Sequence, residues 1–289
     1  MDIGVFQLLP RPDGVSEWQV LEQALWEVEF AEREGFGGIW IAEHHGSTIG
    51  APSVYAAAIA RMTSRIRIGY AVAVLPLHHP LRLAEEIAWV DRLSGGRVAV
   101  GVGPGFSPFE FELLGVPIAE RHARFEEGLR ILRRELNVPL LRACSSVEAV
   151  RRAADEGMPV LLGLKSVAEL AERVKAYSDP ANIHVLRRIC VADTDAEAVA
   201  LMREPLLWEE RAMHAIGGPM APDDEAIRAG LEGALCGSPA TVARQLDELR
   251  ALGIRHVIGW FHFGNMPYEN VRRSMEAMSP NRQLALPHS

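Results

Sequence analysis

Residues Trp40 to His45 read WIAEHH, an apolar run that ends in a carboxylate and two imidazoles. Further on, LPLHHPLRLAEE (Leu75 to Glu86) repeats the arrangement: apolar strand, His pair, then helix. Histidine titrates near neutrality, so Glu43, His44, His45, His78 and His79 at strand ends point to proton handling or metal binding more than to packing. A single His in such a place usually hydrogen-bonds a loop carbonyl or caps a helix; two His-bearing strand ends together outweigh that reading. The H-E-x-x-H and Cys/His spacings of metal sites are absent, and adjacent histidines rarely ligate one ion together, so no metal is expected.

Three further segments carry candidate chemistry. GVGPGF (Gly101 to Phe106) is a tight turn that lets backbone approach a ligand, but it is a weak match to a dinucleotide fingerprint. Cys144-Ser145-Ser146 stands where a strand passes into a helix, so its amides and hydroxyls either cradle a phosphate or simply cap the helix. Phe106, Phe109 and Phe111, with Glu110 among them, and Trp260, His262 and Phe263 are placed to line an apolar pocket over the sheet, or to seal it against helices.

The elements that must position these residues alternate from end to end. Strands are expected at Ile3–Leu9, Gly38–Ala42, Ile66–Leu75, Arg97–Val102, Val138–Ala143, Met158–Leu162, Ile183–Val191 and His256–Phe261. Helices open at Ser16, Pro52, Pro80, Ala119, Ser146, Ser166, Asp195, Ser238 and Pro267. Gly35 and Ser94-Gly95-Gly96 are stop signals, and Pro80 occupies a first helical position. GGPMAPDD (Gly217 to Asp224) reads as a mobile excursion, and the tail PNRQLALPHS (280–289) as loose. Eight strands alternating with helices and no break in composition indicate one domain, a (β/α)8 TIM barrel over 1–289, with a doubly wound open sheet as the rival. In a barrel the chemistry lies at the C-terminal ends of the strands.

Composition agrees. The 289 residues are 48% hydrophobic and 24% charged, as in a soluble globular protein. A net charge of −8 offers no basic stripe for a nucleic-acid partner. Cys144, Cys190 and Cys236 fit neither a disulfide framework nor a CxxC site. No apolar run approaches the roughly 20 residues of a membrane span, and MDIGVFQLLPRPDG lacks the pattern of a secretory signal; a cytoplasmic location is expected.

With these residues in view, the chain resembles the bacterial luciferase-like monooxygenase family of flavin-dependent enzymes. The matching stretches are WIAEHH, AVAVLPLHHPLRLAEEIAWVDRLSGGRVAVGVGPGF, SSVEAVRRAADEGMPVLLG and GSPATVARQLDELRALGIRHV, which cover most of the chain in order. The resemblance implies a (β/α)8 barrel, reduced FMN at the C-terminal rim, activation of O2 at the flavin, a separate flavin reductase, a small apolar or aldehyde-like substrate, and a homodimer pairing near the Ala-rich stretch Ala56 to Ala60. By position, His44 matches the family's catalytic histidine and Glu43 its flavin-contacting strand end. The Ala71-Val72 bond falls where the family has a non-prolyl cis peptide beneath the flavin ring. His79 precedes the motif's proline, here Pro80, and Ser145 and Ser146 match the pair whose amides hold the flavin phosphate. Phe106, Glu110 and Trp260 are then the candidate substrate-pocket residues.

Three departures stand out. A phosphate-binding Arg found in luciferase after the fourth strand is replaced by Pro104, and a reactive Cys by Gly103. The connection between the fourth helix and the fifth strand is shortened to Glu135-Leu136-Asn137, which should open one side of the pocket or weaken flavin retention. Two alternatives therefore stay open: an F420-dependent oxidoreductase performing hydride transfer, and a non-catalytic flavin-binding relative.

Overall fold

The computed structural model describes residues 1–45, 50–215 and 220–283. The parallel strands are β1 (Asp2–Gln7), β2 (Gly38–Ile41), β3 (Arg67–Val74), β4 (Val98–Gly103), β5 (Leu140–Cys144), β6 (Val160–Leu162), β7 (Ile183–Val191), β8 (Ala234–Gly237) and β9 (His256–Trp260). Each strand from β1 to β6 pairs with the next, β6 pairs with β7, and β9 lies between β7 and β1. These contacts close an eight-stranded ring, so the barrel expectation holds and the open sheet does not. The ninth strand, β8, pairs with Arg188–Val191 of β7, past the β7 residues that meet β6.

The helices are α1 (Glu17–Glu34), α2 (Pro52–Met62), α3 (Pro80–Ser94), α4 (Pro108–Leu113), α5 (Arg121–Glu135), α6 (Val147–Asp155), α7 (Val167–Lys175), α8 (Asp195–Ala215), α9 (Asp223–Glu232), α10 (Pro239–Ala251), α11 (Tyr268–Ala277) and α12 (Pro280–Gln283). Local chemistry explains their limits. Ser16 and Gln19 form a reciprocal capping box on α1, and Gly35 ends it in the left-handed region at φ 80°. Val20, Ala24, Val28 and Ala31 then recur on one face and are buried against the barrel. Pro80 opens α3 and Gly95, at φ 74°, closes it.

Several elements differ from the expectation. Strand β8 is only Ala-Leu-Cys-Gly, too short to show a period-two pattern, and it exists because β7 is long enough to pair beyond its neighbour. Helix α4 lies inside the segment read as the loop after β4, started by Ser107, whose Oγ accepts from Glu110 N–H. Of the segment read as a mobile excursion, residues 217–219 lie outside the described residues; Asp223 already begins α9, whose acidic first turn was a legible start signal. The tail is not loose from Pro280: α12 docks on α1, with Ser279 Oγ donating to Glu34 at 2.8 Å and Asn281 Nδ2 to Arg33 O at 3.2 Å. Residues 284–289 lie outside the described residues. The link from α5 to β5 is short, as expected, running over residues 136–139. Among the described residues no helix is long and apolar enough to cross a membrane.

The barrel interior is filled in layers. Near the N-terminal ends, the Trp40 indole meets His184 edge-on at 5.5 Å, and His184 stacks on His256 at 4.2 Å. Gly4 and Gly69 make room for that indole: a Cβ on either would come within 2.7 and 2.2 Å of its ring. Above it, Phe6 meets Trp260 edge-on at 5.2 Å. Arg188 lies over the same indole at 5.4 Å and is ion-paired to Glu209 of α8. The packed layers therefore stop at Trp260, and the space above them is the mouth.

Substituting Gly69→Ala is expected to cost about 1–3 kcal/mol by overpacking Trp40. Gly163→Ala, whose Cβ would meet nothing within 4 Å, serves as the control. Urea denaturation of the two variants checks the difference.

Candidate active site

Strand β2 ends by delivering three polar residues in a row to the rim. Glu43 is buried, and both of its oxygens are occupied. Oε1 accepts from His45 Nε2 at 2.7 Å and from His78 Nε2 at 2.6 Å, while Oε2 accepts the Val74 N–H at 2.8 Å. Burial opposes ionisation of this carboxyl, but the two imidazoles and the amide outweigh it and hold its pKa down at about 2. The same contact raises the pKa of His45, against partial burial. Each His pair thus gives one member, His45 and His78, to a shared carboxylate.

A second buried carboxylate meets the pair from the opposite side. Glu110 of α4 places Oε1 3.0 Å from His44 Nδ1 and 2.9 Å from His45 N, whose N–H it accepts. An oxygen that accepts from a backbone amide also accepts from an Nδ1–H. That contact fixes the orientation of the His44 ring. Phe106 lies edge-on to His44 at 6.3 Å and is half exposed.

His44, His45 and Glu110 form one wall of a pocket of about 350 Å³. Trp208, Met213 and Glu209 of α8 form another, with Leu8, Pro10 and Trp260 completing it. Trp260 is fixed by Phe6, by Arg188 and by a hydrogen bond from Nε1 to His262 O at 2.9 Å. Arg11 and Glu17, joined at 2.8 Å, stand among the lining groups as an exposed ion pair. Sequence reasoning missed Trp208, Glu209 and Met213, because α8 reads as an ordinary amphipathic helix and nothing local marks which turn overhangs the barrel.

The other candidates lie around this pocket without lining it. The Ala71-Val72 peptide bond is cis, as expected by resemblance. The β3–β4 register shifts between Tyr70 and Ala73, so these two residues leave the ladder. Gly103 accommodates them: a Cβ there would come within 2.9 Å of Val72 Cγ2. His79 is exposed at the N-cap of α3, makes no side-chain cap bond, and does not join the Glu43 cluster. Ser146 caps α6, its Oγ accepting the Ala149 N–H at 3.2 Å, and Ser145 stands exposed just before it. The rim therefore presents a bulged shelf at Val72 and a capped helix N-terminus at Ser146. A phosphorylated ring cofactor fits that pair of features: a surface for the ring, amide donors for the phosphate and, at Gly163, open space where a Cβ would stand free.

A family model described as luciferase-like monooxygenase matches residues 1–138 and 133–256. The chain belongs to that family. It is 38% identical over 131 residues to 4-hydroxyprotoasukamycin monooxygenase of Streptomyces nodosus subsp. asukaensis, covering 44% of this chain and 34% of that protein. The chain thus spans about a third of the length of that curated relative. A crystal structure of the monooxygenase RslO1 from Streptomyces bottropensis superposes with a TM-score of 0.84 at 25% identity, covering 98% of this chain and all of the other. The oxygenating constituent of 3,6-diketocamphane monooxygenase from Pseudomonas putida, solved in complex with FMN, gives 0.79 at 20% identity over 97% and 98% of the two chains, a likeness of fold.

The Glu43 clamp carries its own pH window. Its carboxyl is depressed from 4.5 to about 2, so its contribution is complete above pH 4.5 and is lost as pH falls through 2. His45 is raised above 6.5, so its contribution is complete below that value and is lost as pH rises past the folded-state pKa. Glu43→Gln is expected to lower stability by about 3 kcal/mol between pH 4.5 and 6.5 and by progressively less toward pH 2. Denaturant titrations of both proteins across that range check it.

Proposed function

We propose that this member of the luciferase-like monooxygenase family is a flavin-dependent monooxygenase that uses reduced FMN and O2 to oxygenate a small apolar or aldehyde-like organic molecule. The observation that carries the reading is the Glu110–His44 contact on the wall of the 350 Å³ pocket. It orients an imidazole in the way a general acid–base residue requires. When bound, reduced flavin supplies the electrons that activate O2.

The chain's own residues do the rest. His44 holds and moves a proton at Nε2, and Glu110 keeps its Nδ1 committed. Glu43 fixes His45 and ties the end of β2 to β3 just past the cis bond. In this reading Ala71 and Val72 support the flavin ring, His79 stands at its edge, and the Ser145 and Ser146 amides receive its phosphate. Trp208, Trp260, Leu8 and Met213 exclude water from the pocket, and Phe106 borders His44 at its entrance. Reduced FMN comes from a separate cytoplasmic reductase.

The protein is further proposed to work as a homodimer. Val54 of α2 is 73% exposed, and Leu81, Trp89 and Leu93 of α3 are 43%, 63% and 41% exposed. Val54, Trp89 and Leu93 line a surface groove between these helices, and an apolar face of that kind is normally covered.

Supplying FMNH2 and O2 with candidate aldehydes and ketones tests the activity by product formation and 18O incorporation. His44→Ala is expected to lower kcat about 10²–10⁴-fold, and Glu110→Gln to lower it less, both with little change in FMN affinity. Binding of F420 without FMN, or turnover unchanged in His44→Ala, would overturn the reading. Sedimentation is expected to give two chains per particle for the wild type and one for the Val54→Glu, Trp89→Glu double variant.

A further inference from the structure

On the outer side of the rim, away from the pocket, two guanidinium groups are buried with unused donors. Arg173 of α7 donates Nη1 to Glu169 O and Nη2 to Ser145 O, each at 2.9 Å, while its Nε is buried without a partner. Arg187 of β7 is 2% exposed; its Nη1 reaches only the carbonyl of its own neighbour Leu186, at 3.3 Å, and its Nη2 has no partner. A buried cation with unsatisfied N–H groups is costly unless an anion compensates it.

The strand register shows which rim residues lie level with Arg187. Cys144 pairs with Leu162, and Leu162 with Val185. Two residues farther along, Ser146, Leu164 and Arg187 are level at the C-terminal edge. The N-termini of α6 and α7, capped by Ser146 and Ser166, open at the same edge. Among the described residues, Glu169 is the carboxylate within 4 Å of Lys165 and Arg173. It already accepts from Ser166 N–H and Oγ, and it stands 3.9 Å from both Lys165 Nζ and Arg173 Nη2. Glu148, in the first turn of α6, is exposed. One shared carboxylate does not balance Lys165, Arg173 and Arg187. The turn Gly101 to Phe106, also on the rim, brings no cation.

We propose that Arg173, backed by Arg187, supplies the positive charge for the cofactor's phosphate at the Ser145–Ser146 turn; the inference rests on the flavin reading above. Arg173 is a positioning residue. By holding the Ser145 carbonyl it turns the following amides toward the mouth, and its charge lies behind them.

Comparing FMN with riboflavin, which is the same ring without the phosphate, tests this. Both affinities are measured by fluorescence titration of the full chain. Arg173→Gln, which removes the charge and ends at about the position of Arg173 Nε, is expected to weaken FMN about tenfold and riboflavin less than twofold. Arg173→Lys is expected to restore most of the FMN affinity. Equal losses for both ligands, or an unchanged FMN affinity, would overturn the proposal. If the wild type bound neither flavin, the flavin reading would fail by itself. Inorganic phosphate then serves as the probe: raised thermal stability of the wild type but not of Arg173→Gln supports the charged site, and no effect on either refutes it.

Discussion

One carboxylate organises the mouth of this barrel. Glu43 follows β2 into a buried position, where an unpartnered charge would be prohibitive. His45 and His78 converge on one of its oxygens and the Val74 amide on the other, so the charge is distributed over two strand ends. That contact fixes the path of β3 after its departure from the β4 ladder, and it holds the backbone from which His44 projects. Removing one partner would leave the others buried around an incomplete set, and the constellation therefore behaves as a unit.

Glu110 complements it from a separate element. Where Glu43 works from the wall of the barrel, Glu110 arrives on the short helix α4 over the mouth, and the His44-His45 dipeptide is held between them. Each carboxylate accepts from a backbone amide as well as from imidazoles. Imidazole orientation is thereby coupled to main-chain position, and the ring of His44 has little freedom to turn. The packed layers below serve the same end. Trp40, His184 and His256 fill the lower barrel, and Trp260, braced by Phe6 and Arg188, forms a rigid surface beneath the pocket.

The alternation of apolar runs with amphipathic helices was legible because each strand is a short continuous Val/Ile/Leu stretch and each helix carries its own cap and stop. Ser16, Gly35, Pro80 and Gly95 act within a few residues of themselves, and so they act the same way in any context. Strand β8 was not legible: four residues carry no period, and its pairing depends on how far β7 extends. Helix α4 was hidden because the aromatic residues around it suggested a loop over the pocket, while its Ser107 cap is a common residue in either setting.

The site divides in the same way. The sequence by itself determined that Glu43, His44 and His45 follow one strand and that His78 and His79 follow its neighbour, where a 3-10 turn over Leu75–Leu77 intervenes, since the strand positions follow from local patterning. It could not decide which histidine of each pair faces which carboxylate. That depends on the direction a side chain takes after a strand ends, and the closed ring sets that direction. Only the tertiary structure joins His45 to His78 through Glu43, brings Glu110 from α4 to His44, and lays α8 across the mouth. These contacts link residues far apart in the chain, where no local periodicity or cap extends, and the burial of charge selects among them.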